Sequence, residues 1–295
     1  MTHAIQRGLD ATDTPDVAVV GSHHRGITAA RLGTYLLFLL LTIFFVLPLV
    51  IVVSTSLKQG TEVFSDPGII PSNPGLENYQ SLLGSQAAFV KWFTNSAIVS
   101  VIGTVLVLAL TSLSAYAFAR IDFRFKSVVF GLLIATLSLP AVMFLVPQSR
   151  LVGELGLYDT LPAYMLPGLA GVFGVFFMRQ FFLGIPLELE EAAYVDGASR
   201  LRTLVSIVVP MSAPALATLG VITFLTFWND YLWPLVVCQR NCTLPPGLRQ
   251  LQGTFTAEYG LLMAGAVVAA IPVLIIYVLL QRYIVQSVAS SGIKG

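Results

Sequence analysis

Charged side chains are scarce in this sequence. Asp, Glu, Lys and Arg together make up 11% of its 295 residues, whereas hydrophobic residues make up 56%. About a quarter of the residues in a typical soluble domain are charged, so this chain has too few charges to cover a soluble globule of its length. The composition therefore predicts an integral membrane protein. The net charge of +1 and the lack of a dense Lys/Arg cluster give no reason to expect nucleic acid as a partner.

Patterns that carry chemistry are missing as well. No lysine ends a Gly-x-x-x-x-Gly-Lys loop, so the sequence contains no phosphate-binding loop of that kind. No His-Glu-x-x-His pattern or nucleophile elbow points to an enzyme, and we expect no catalytic residue, metal site or cofactor in this chain. Ionisable residues are absent from the middle of the long apolar stretches, whereas proton-coupled carriers use such residues as relays. If the chain transports a solute, the energy must come from another protein.

Six apolar stretches are long enough to cross a bilayer, which takes about 20 helical residues for roughly 30 Å of hydrocarbon. They run over residues 35–57, 95–119, 127–146, 161–183, 208–233 and 260–283. Pro140 interrupts the third stretch and Pro272 lies inside the sixth. Small residues such as Gly103 and Ala115 in the second would let neighbouring helices approach. The predicted fold class is an all-α polytopic membrane protein with six transmembrane helices.

The chain is expected to fall into four parts. Residues 1–30 are polar, lack an apolar period and are predicted to be a disordered cytoplasmic tail. Residues 31–94 hold the first transmembrane helix and an outer loop. Residues 95–284 form a five-helix core that contains a polar cytoplasmic loop at 184–207. Residues 285–295 are predicted to be a second cytoplasmic tail.

The basic residues predict the orientation, because Lys and Arg are enriched on the cytoplasmic side of membrane proteins. With a cytoplasmic N-terminus, eleven of them face the cytoplasm: Arg7, Arg25, Arg31, Arg120, Arg124, Lys126, Arg179, Arg200, Arg202, Arg282 and Lys294. Five face outward: Lys58, Lys91, Arg150, Arg240 and Arg249. Both termini and the loop at 184–207 are therefore predicted to be cytoplasmic, in a multi-pass protein of the cytoplasmic (inner) membrane. Cys238 and Cys242 then lie on the oxidising side, where a disulfide and two unpaired thiols both remain open.

The loop at 184–207 is predicted to contain a short acidic helix, a sharp corner and a second helix. Pro186 suits a first helical turn, and the carboxylates that follow it are Glu188, Glu190 and Glu191. Free N–H groups and the positive end of the helix dipole favour negative charge at this position. Gly197 can end the helix because glycine accepts a left-handed conformation, and Ser199 can cap the second helix, which runs to Pro210.

The spacing of Glu191-Ala192-Ala193, Gly197, Ile207 and Pro210 resembles the EAA loop of permease subunits in ABC importers. Asp196-Gly197-Ala198 is similar to the form common in the carbohydrate-uptake branch. Further stretches of the chain agree: Met178-Arg179-Gln180-Phe181-Phe182, Trp228-Asn229-Asp230-Tyr231-Leu232-Trp233-Pro234-Leu235 and Gly292-Ile293-Lys294-Gly295. The resemblance covers roughly residues 30 to 295, and it is closest to the second permease of maltose-type importers.

The resemblance implies a type I importer core that moves a sugar or oligosaccharide by alternating access, driven by ATP. The implied partners are a second permease in a heterodimer, two copies of an ABC ATPase subunit that bind ATP and Mg²⁺, an extracytoplasmic substrate-binding protein and the lipid bilayer. The acidic helix would be a coupling helix seated in a cleft of the ATPase. Its coupling residues would be Glu190, Glu191, Ala192, Ala193, Asp196, Gly197 and Ala198. Glu191 would meet a basic residue there, and the two alanines would keep the contact face flat. An outer segment around residues 253–258 would touch the binding protein.

Candidate substrate contacts lie mainly at the outer end of the fifth stretch. Aromatic faces together with amide or carboxylate groups commonly hold sugars, and such groups are offered by Asn95, Phe227, Trp228, Asn229, Asp230 and Tyr231. An aromatic belt with helix-end caps explains the same residues without a substrate. Three other functions also remain open: an ATP-independent channel or secondary carrier, a membrane-embedded enzyme, and a structural subunit that never lines the path. The sequence does not disclose which sugar moves or whether it touches this chain.

Overall fold

A computed structural model describes residues 29–60, 62–85, 87–251 and 258–291. Within these ranges the secondary structure is helical and contains no strand, in agreement with the predicted all-α class. The predicted tail as far as residue 28, the outer segment 252–257 and the C-terminal residues 292–295 lie outside the described residues. The chain divides into two compact units, Met1–Pro48 and Leu49–Gly295.

The first unit contains most of helix α1 (Ala29–Leu57), which passes Pro48 and ends in the second unit. Its sequence is dominated by Leu, Phe, Ile and Val, a composition that suits hydrocarbon surroundings. Residues 29 and 30, which the sequence assigns to the tail, belong to this helix.

The second unit is built from helices of very different lengths. In chain order they are α2 (Glu62–Ser65), α3 (Glu77–Gln80), α4 (Ala87–Arg120), α5 (Lys126–Ala135), α6 (Leu145–Glu154), α7 (Leu161–Met165), α8 (Val172–Leu183), α9 (Glu188–Val195), α10 (Arg200–Thr203), α11 (Val209–Met211), α12 (Ala213–Trp228), α13 (Leu232–Val237), α14 (Leu244–Gln250) and α15 (Tyr259–Ser291). Helix α15 continues past the predicted end of the sixth stretch. The segment predicted as a C-terminal tail from residue 285 is therefore helical as far as Ser291.

Three described helices are long and apolar enough to cross a membrane on their own, and three bent pairs reach the same length together. The single helices are Arg31–Leu57, Ala88–Arg120 and Tyr259–Gln281. The pairs are Lys126–Ser138 with Ala141–Glu154, Leu161–Leu169 with Val172–Leu183, and Arg200–Met211 with Ala213–Val237, bent by 97°, 48° and 82°. The described chain thus has three to six candidate spans, which match the six predicted stretches in order.

Proline accounts for the sharpest bend. Pro140 has extended backbone angles (φ −61°, ψ 125°) and follows Leu139, which is extended as well. Proline has no N–H to donate and disfavours the helical conformation in the residue before it, so the helix stops here. The interruption predicted at Pro140 is therefore confirmed. The bend at Ser212, between Pro210 and Pro214, falls inside the fifth stretch, which is predicted as a single span with no interruption.

Helix α4 is the central element of the second unit, because it contributes to each of three buried clusters along its length. Phe89 and Trp92 pack with Phe224, Trp228 and Leu261. Val99 and Val107 pack with Tyr164 and Phe227. Ala115 and Tyr116 pack with Met178, Phe182 and Leu219. A displacement of α4 would therefore change the packing of the helices that contact it.

Glycine lets one large ring enter the helix packing. A Cβ built at Gly103 of α4 would lie 2.8 Å from Cε2 of Phe227, and one at Gly168 would lie 2.7 Å from its Cε1. Both distances are shorter than real Cβ contacts, so the ring fits only because neither position has a side chain. The prediction that Gly103 permits close approach of a neighbouring helix is confirmed.

Side-chain contacts show that the loops of the second unit lie at two opposite ends of its helix bundle. At one end, Arg120 of α4 meets Glu190 of α9. At the other end, Asn95 meets Asn241, and Asp159 also bonds to that loop. The loop at 184–199 therefore lies at the end of the bundle opposite the loop that contains Asn241, as the predicted topology requires.

Candidate functional site

The acidic helix α9 begins and ends close to where the sequence predicts. It starts at Glu188, just after Pro186, with three glutamates in its first turn. It ends at Val195, and Gly197, two residues later, has a φ of +79°, which lies in the left-handed region. The N–H of Gly197 donates to the carbonyl of Tyr194 at 3.0 Å, and the N–H of Ala198 donates to that of Ala193 at 2.9 Å. These are the two hydrogen bonds of a Schellman motif, which satisfies carbonyls at a helix end.

The corner after α9 also follows local rules. A Cβ at Gly197 would meet no atom within 4 Å, so the backbone conformation alone calls for glycine there. Ser199 is the N-cap of α10, and its Oγ accepts a hydrogen bond from the N–H of Arg202 at 3.3 Å. The predicted cap is confirmed.

Helix α9 has an inward face and an exposed face. Glu190 and Ala193, three residues apart, are buried and share the inward face. Glu191 and Val195, four residues apart, are exposed, and Val195 is 88% exposed. The sequence predicts that seven residues of this region share one docking surface. In the structure, they do not all lie on the exposed face. Ala192, Asp196 and Gly197 are exposed, Ala198 is half-buried, and Glu190 and Ala193 do not lie on the exposed face.

Glu190 is the best-connected carboxylate of the corner, and its side chain is 0% exposed. Its Oε1 accepts from Nε of Arg120 at 2.6 Å, and its Oε2 accepts from the hydroxyl of Tyr116 at 2.9 Å. The same hydroxyl lies 2.9 Å from that of Tyr194. A buried charge is tolerated only when it is paired and hydrogen-bonded, and both conditions are met here.

Arg120 extends the network to a third helix. Its Nη2 donates to the carbonyl oxygens of Phe182 and Ile185 at 2.8 and 2.7 Å, at the end of α8. Its side chain is 11% exposed. One guanidinium therefore joins the last residue of α4, the end of α8 and the start of α9.

The exposed face of the corner combines acidic and apolar groups. Large apolar side chains exposed in this region are Leu187, Leu189, Val195, Leu201 and Val205. In the part of the chain that the structure describes, no ion pair involves Glu188, Glu191 or Asp196. Exposed apolar side chains together with carboxylates outside any ion pair are typical of a site that binds another protein.

A second feature is a cavity of about 590 Å³ in the second unit. Its wall is contributed by α4, α6, α7, α8, α12 and α13 and is mostly apolar. The polar side chains that interrupt this wall are Gln148, Tyr164, Thr223, Thr226 and Asp230. A mainly apolar concavity with a few polar groups is the usual form of a small-molecule site.

The structure brings only two of the six candidate substrate residues into the cavity wall, Phe227 and Asp230. Two others use their polar atoms elsewhere. Nδ2 of Asn95 donates to the carbonyls of Asn241 and Cys242, both at 2.9 Å, and Nε1 of Trp228 donates to that of Ala269 at 3.1 Å.

The remaining two candidates are exposed and do not line the cavity. Asn229 lies on the surface, and the hydroxyl of Tyr231 accepts a hydrogen bond from Nη1 of Arg249 at 2.8 Å.

Residues 108–290 match the protein family described as binding-protein-dependent transport system inner membrane component. The match covers more than half of the chain. The chain belongs to this family. The permease is therefore a membrane-embedded transport subunit of an ABC importer and not an enzyme, as the sequence predicts.

Individual relatives are similar over most of the permease. It is 34% identical over 256 residues to the arabinooligosaccharides transport system permease protein of Halalkalibacterium halodurans, covering 85% of this chain and 91% of that protein. It is 31% identical over 267 residues to the diacetylchitobiose uptake system permease protein of Streptomyces coelicolor, covering 88% of each.

The fold is that of solved importers. A chain of a bacterial ABC transporter involved in the import of the acidic polysaccharide alginate superposes with a TM-score of 0.76 at 23% identity, covering 88% of the permease and 98% of that chain. The predicted importer permease fold is confirmed.

Sequence reasoning missed the partners of Glu190 in the permease. Arg120 enters the sequence argument only as one basic residue in a count, and Tyr116 and Tyr194 do not enter it at all. Arg120 lies 70 positions before Glu190, so no local pattern links them. The one available signal is a basic residue at the cytoplasmic end of a predicted span, close to the level of the acidic loop.

The loop that contains Cys238 and Cys242 is held by several groups that the sequence did not connect. Cys238 and Cys242 form a disulfide with their Cα atoms 5.1 Å apart, which settles the alternative that the sequence leaves open. One Oδ of Asp159 accepts from the N–H groups of Gln239, Arg240 and Asn241 at 2.7–2.9 Å. The disulfide and these hydrogen bonds restrain the loop at the end of the second unit opposite α9.

These bonds also affect the pKa of the Asp159 carboxyl. Its partial burial alone would raise the pKa of the carboxyl, but the three backbone N–H donors outweigh burial and lower the pKa below its usual range.

Within the described residues, no group of three or more His, Cys, Asp or Glu side chains could hold a metal ion.

Proposed function

We propose that the permease moves a sugar or an oligosaccharide inward across the cytoplasmic membrane by alternating access, driven by ATP bound with Mg²⁺ on partner subunits. The partners proposed are a second permease, two copies of an ABC ATPase and an extracytoplasmic substrate-binding protein. Two relatives that match the chain over most of its length are named for arabinooligosaccharides and for diacetylchitobiose. These names support a carbohydrate as the cargo.

The proposed topology has six spans, with both termini and α9 in the cytoplasm. Each bent pair counts as one span in this topology, and the two ends of the second unit separate the loops accordingly. The excess of basic residues on the α9 side supports a cytoplasmic position for that side.

The main support for the proposal is that α9 is anchored to the bundle on one face and exposed on the other. The helix presents Glu191 and Val195 to the surface while Glu190 fixes it to the bundle. A transport subunit without a nucleotide site needs such a rigid, exposed element to receive work from an ATPase. We place Glu191, Ala192, Val195 and Asp196 on the docking surface and give Glu190 a different role.

The cavity is the proposed part of the substrate path in this subunit. Phe227 offers an aromatic face and Asp230 a carboxylate in the same wall, the two kinds of group that commonly hold a sugar ring. Asn95 and Trp228 are placed outside the path because their polar atoms bond to backbone carbonyls.

A charge reversal tests the docking surface. The permease is coexpressed with its partner subunits, reconstituted in liposomes, and assayed for ATP hydrolysis and sugar uptake. Glu191→Lys should leave the amount of permease in the membrane unchanged and abolish uptake, because an interfacial charge that loses its partner costs about 2–5 kcal/mol. Glu154→Lys is the matched control, since Glu154 is equally a surface carboxylate but lies at the opposite end of the second unit. Normal uptake by Glu191→Lys would refute the docking role.

Labelling tests the topology separately. Val195→Cys should react with a membrane-impermeant maleimide only after the cells are opened, and Glu154→Cys should react in intact cells. The opposite result would place α9 outside and would rule out an ATPase as its partner.

A further inference from the structure

Arg120 holds together three elements that a mobile transporter has to move in concert. Its guanidinium bonds to the carboxylate of Glu190 on α9 and to the carbonyls of Phe182 and Ile185 at the end of α8. Arg120 is the last residue of α4. We infer that the Arg120–Glu190 ion pair is the connection through which movement of α9 reaches α4 and the cavity wall. This inference rests on the proposed function of α9.

Stability alone is a weak reason for this ion pair. Taking two charges out of water costs several kcal/mol per ion, and well-packed apolar residues in place of a buried pair are often as stable or more stable. What the pair provides is a fixed relative orientation, because a planar guanidinium bonds to a carboxylate and to two carbonyls in only one arrangement. The hydrogen bond from Tyr116, itself on α4, to the second oxygen of Glu190 restricts the carboxylate further.

Helix α4 leads from this ion pair to the cavity. Val107 of α4 lies in the cavity wall. One turn further along, Gly103 receives the ring of Phe227, which lines the same cavity. A packed helix moves as a rigid body, so a tilt imposed at Arg120 displaces the seat of Phe227. Arg120 and Glu190 are therefore positioning residues, which act on the cavity through α4 without touching the cargo.

The test measures the number of sugar molecules transported per ATP hydrolysed by the reconstituted complex. Arg120→Lys keeps the positive charge but loses the planar guanidinium group, whose separate nitrogens bond to both the carboxylate and the carbonyls. The double variant Arg120→Met with Glu190→Met removes both charges at similar side-chain length. In each variant, we expect ATP hydrolysis to continue and the transport ratio to fall about tenfold, within the range typical of coupling between distant sites.

A second ion pair close to the same end of α4 provides the control. Lys126 and Asp122 lie 3.3 Å apart, four positions from each other, and Asp122 is fully exposed. This pair joins neighbouring residues and not separate helices. Lys126→Met with Asp122→Asn should leave the transport ratio unchanged.

The outcomes separate a coupling role from a structural one. If the variants assemble in smaller amounts but transport normally per ATP hydrolysed, or if neither variant assembles at all, the pair serves folding and the inference is overturned. A reduced ratio in either assembled variant, with a normal ratio in the control, supports it. Failure of the wild-type complex to couple ATP hydrolysis to sugar uptake would instead refute the proposed function, so the two failures can be told apart.

Discussion

The ring of Phe227 is fixed between two glycines, and this arrangement yields a quantitative prediction. Gly103→Ala would place a methyl group 2.8 Å from Cε2 of the ring. The opposite edge of the ring packs close to Gly168, where a Cβ would lie 2.7 Å from Cε1, so little room is left for the ring to shift that way. We expect the ring to turn into the cavity, at a cost of about 1–3 kcal/mol for overpacking.

The cost can be assigned to this contact by a double-mutant cycle. Phe227→Leu removes the part of the ring that Gly103→Ala strikes, so Gly103→Ala should be nearly neutral in that background. The two substitutions should therefore show an interaction free energy of about 1 kcal/mol or more. Thermal unfolding of the purified permease in detergent measures this, since 1 kcal/mol shifts the midpoint by about 1–2 °C in a chain of this size.

Uptake provides a second measurement, because a ring turned into the cavity narrows the proposed path. Gly103→Ala should lower uptake of an oligosaccharide, and adding Phe227→Leu should restore it. Equal destabilisation by Gly103→Ala in both backgrounds would show that the ring is not confined by the two glycines and would refute the reasoning.

Three further predictions follow from local geometry. Gly197→Ala should weaken the end of α9 by about 1–2 kcal/mol because of its left-handed backbone, and Gly197→Asn should weaken it less, as protease sensitivity of the corner would report. Because the folded pKa of Asp159 is lowered, its carboxylate should stabilise the outer loop above the usual pKa of Asp and lose this effect only as pH falls through the lowered value. Asp159→Asn should abolish this pH dependence, measured as loop cleavage by an added protease. Finally, because Cys242 is buried in the folded protein, the disulfide is tested in denaturant: maleimide should label neither Cys238 nor Cys242 before reduction and both afterwards.

The parts of the site that could be predicted are those set by neighbouring residues. Gly197 ends α9 and Ser199 caps α10 because each acts on backbone groups within a few positions of itself. Pro140 interrupts its span for the same reason, since it lacks the N–H that a helix needs. These effects hold whatever packs around the segment.

Predictions that rested on the chemical type of a side chain alone agreed less well with the structure. Asn95 and Trp228 have groups that suit a sugar, yet their donors bond to carbonyls of Asn241, Cys242 and Ala269. A donor side chain in a buried setting takes whichever acceptor the fold brings near it, and backbone carbonyls are the most abundant ones.

The sequence by itself determined that this protein lies in a membrane, how its apolar helices follow one another and where its acidic corner begins and ends, because composition and short-range backbone geometry decide these features. Only the tertiary structure decided that Glu190 turns inward to Arg120 while Glu191 remains exposed, and that Phe227 fits between Gly103 and Gly168. Those arrangements depend on residues distant in sequence meeting in space, and two adjacent glutamates in a short helix carry no local signal of which one will be buried.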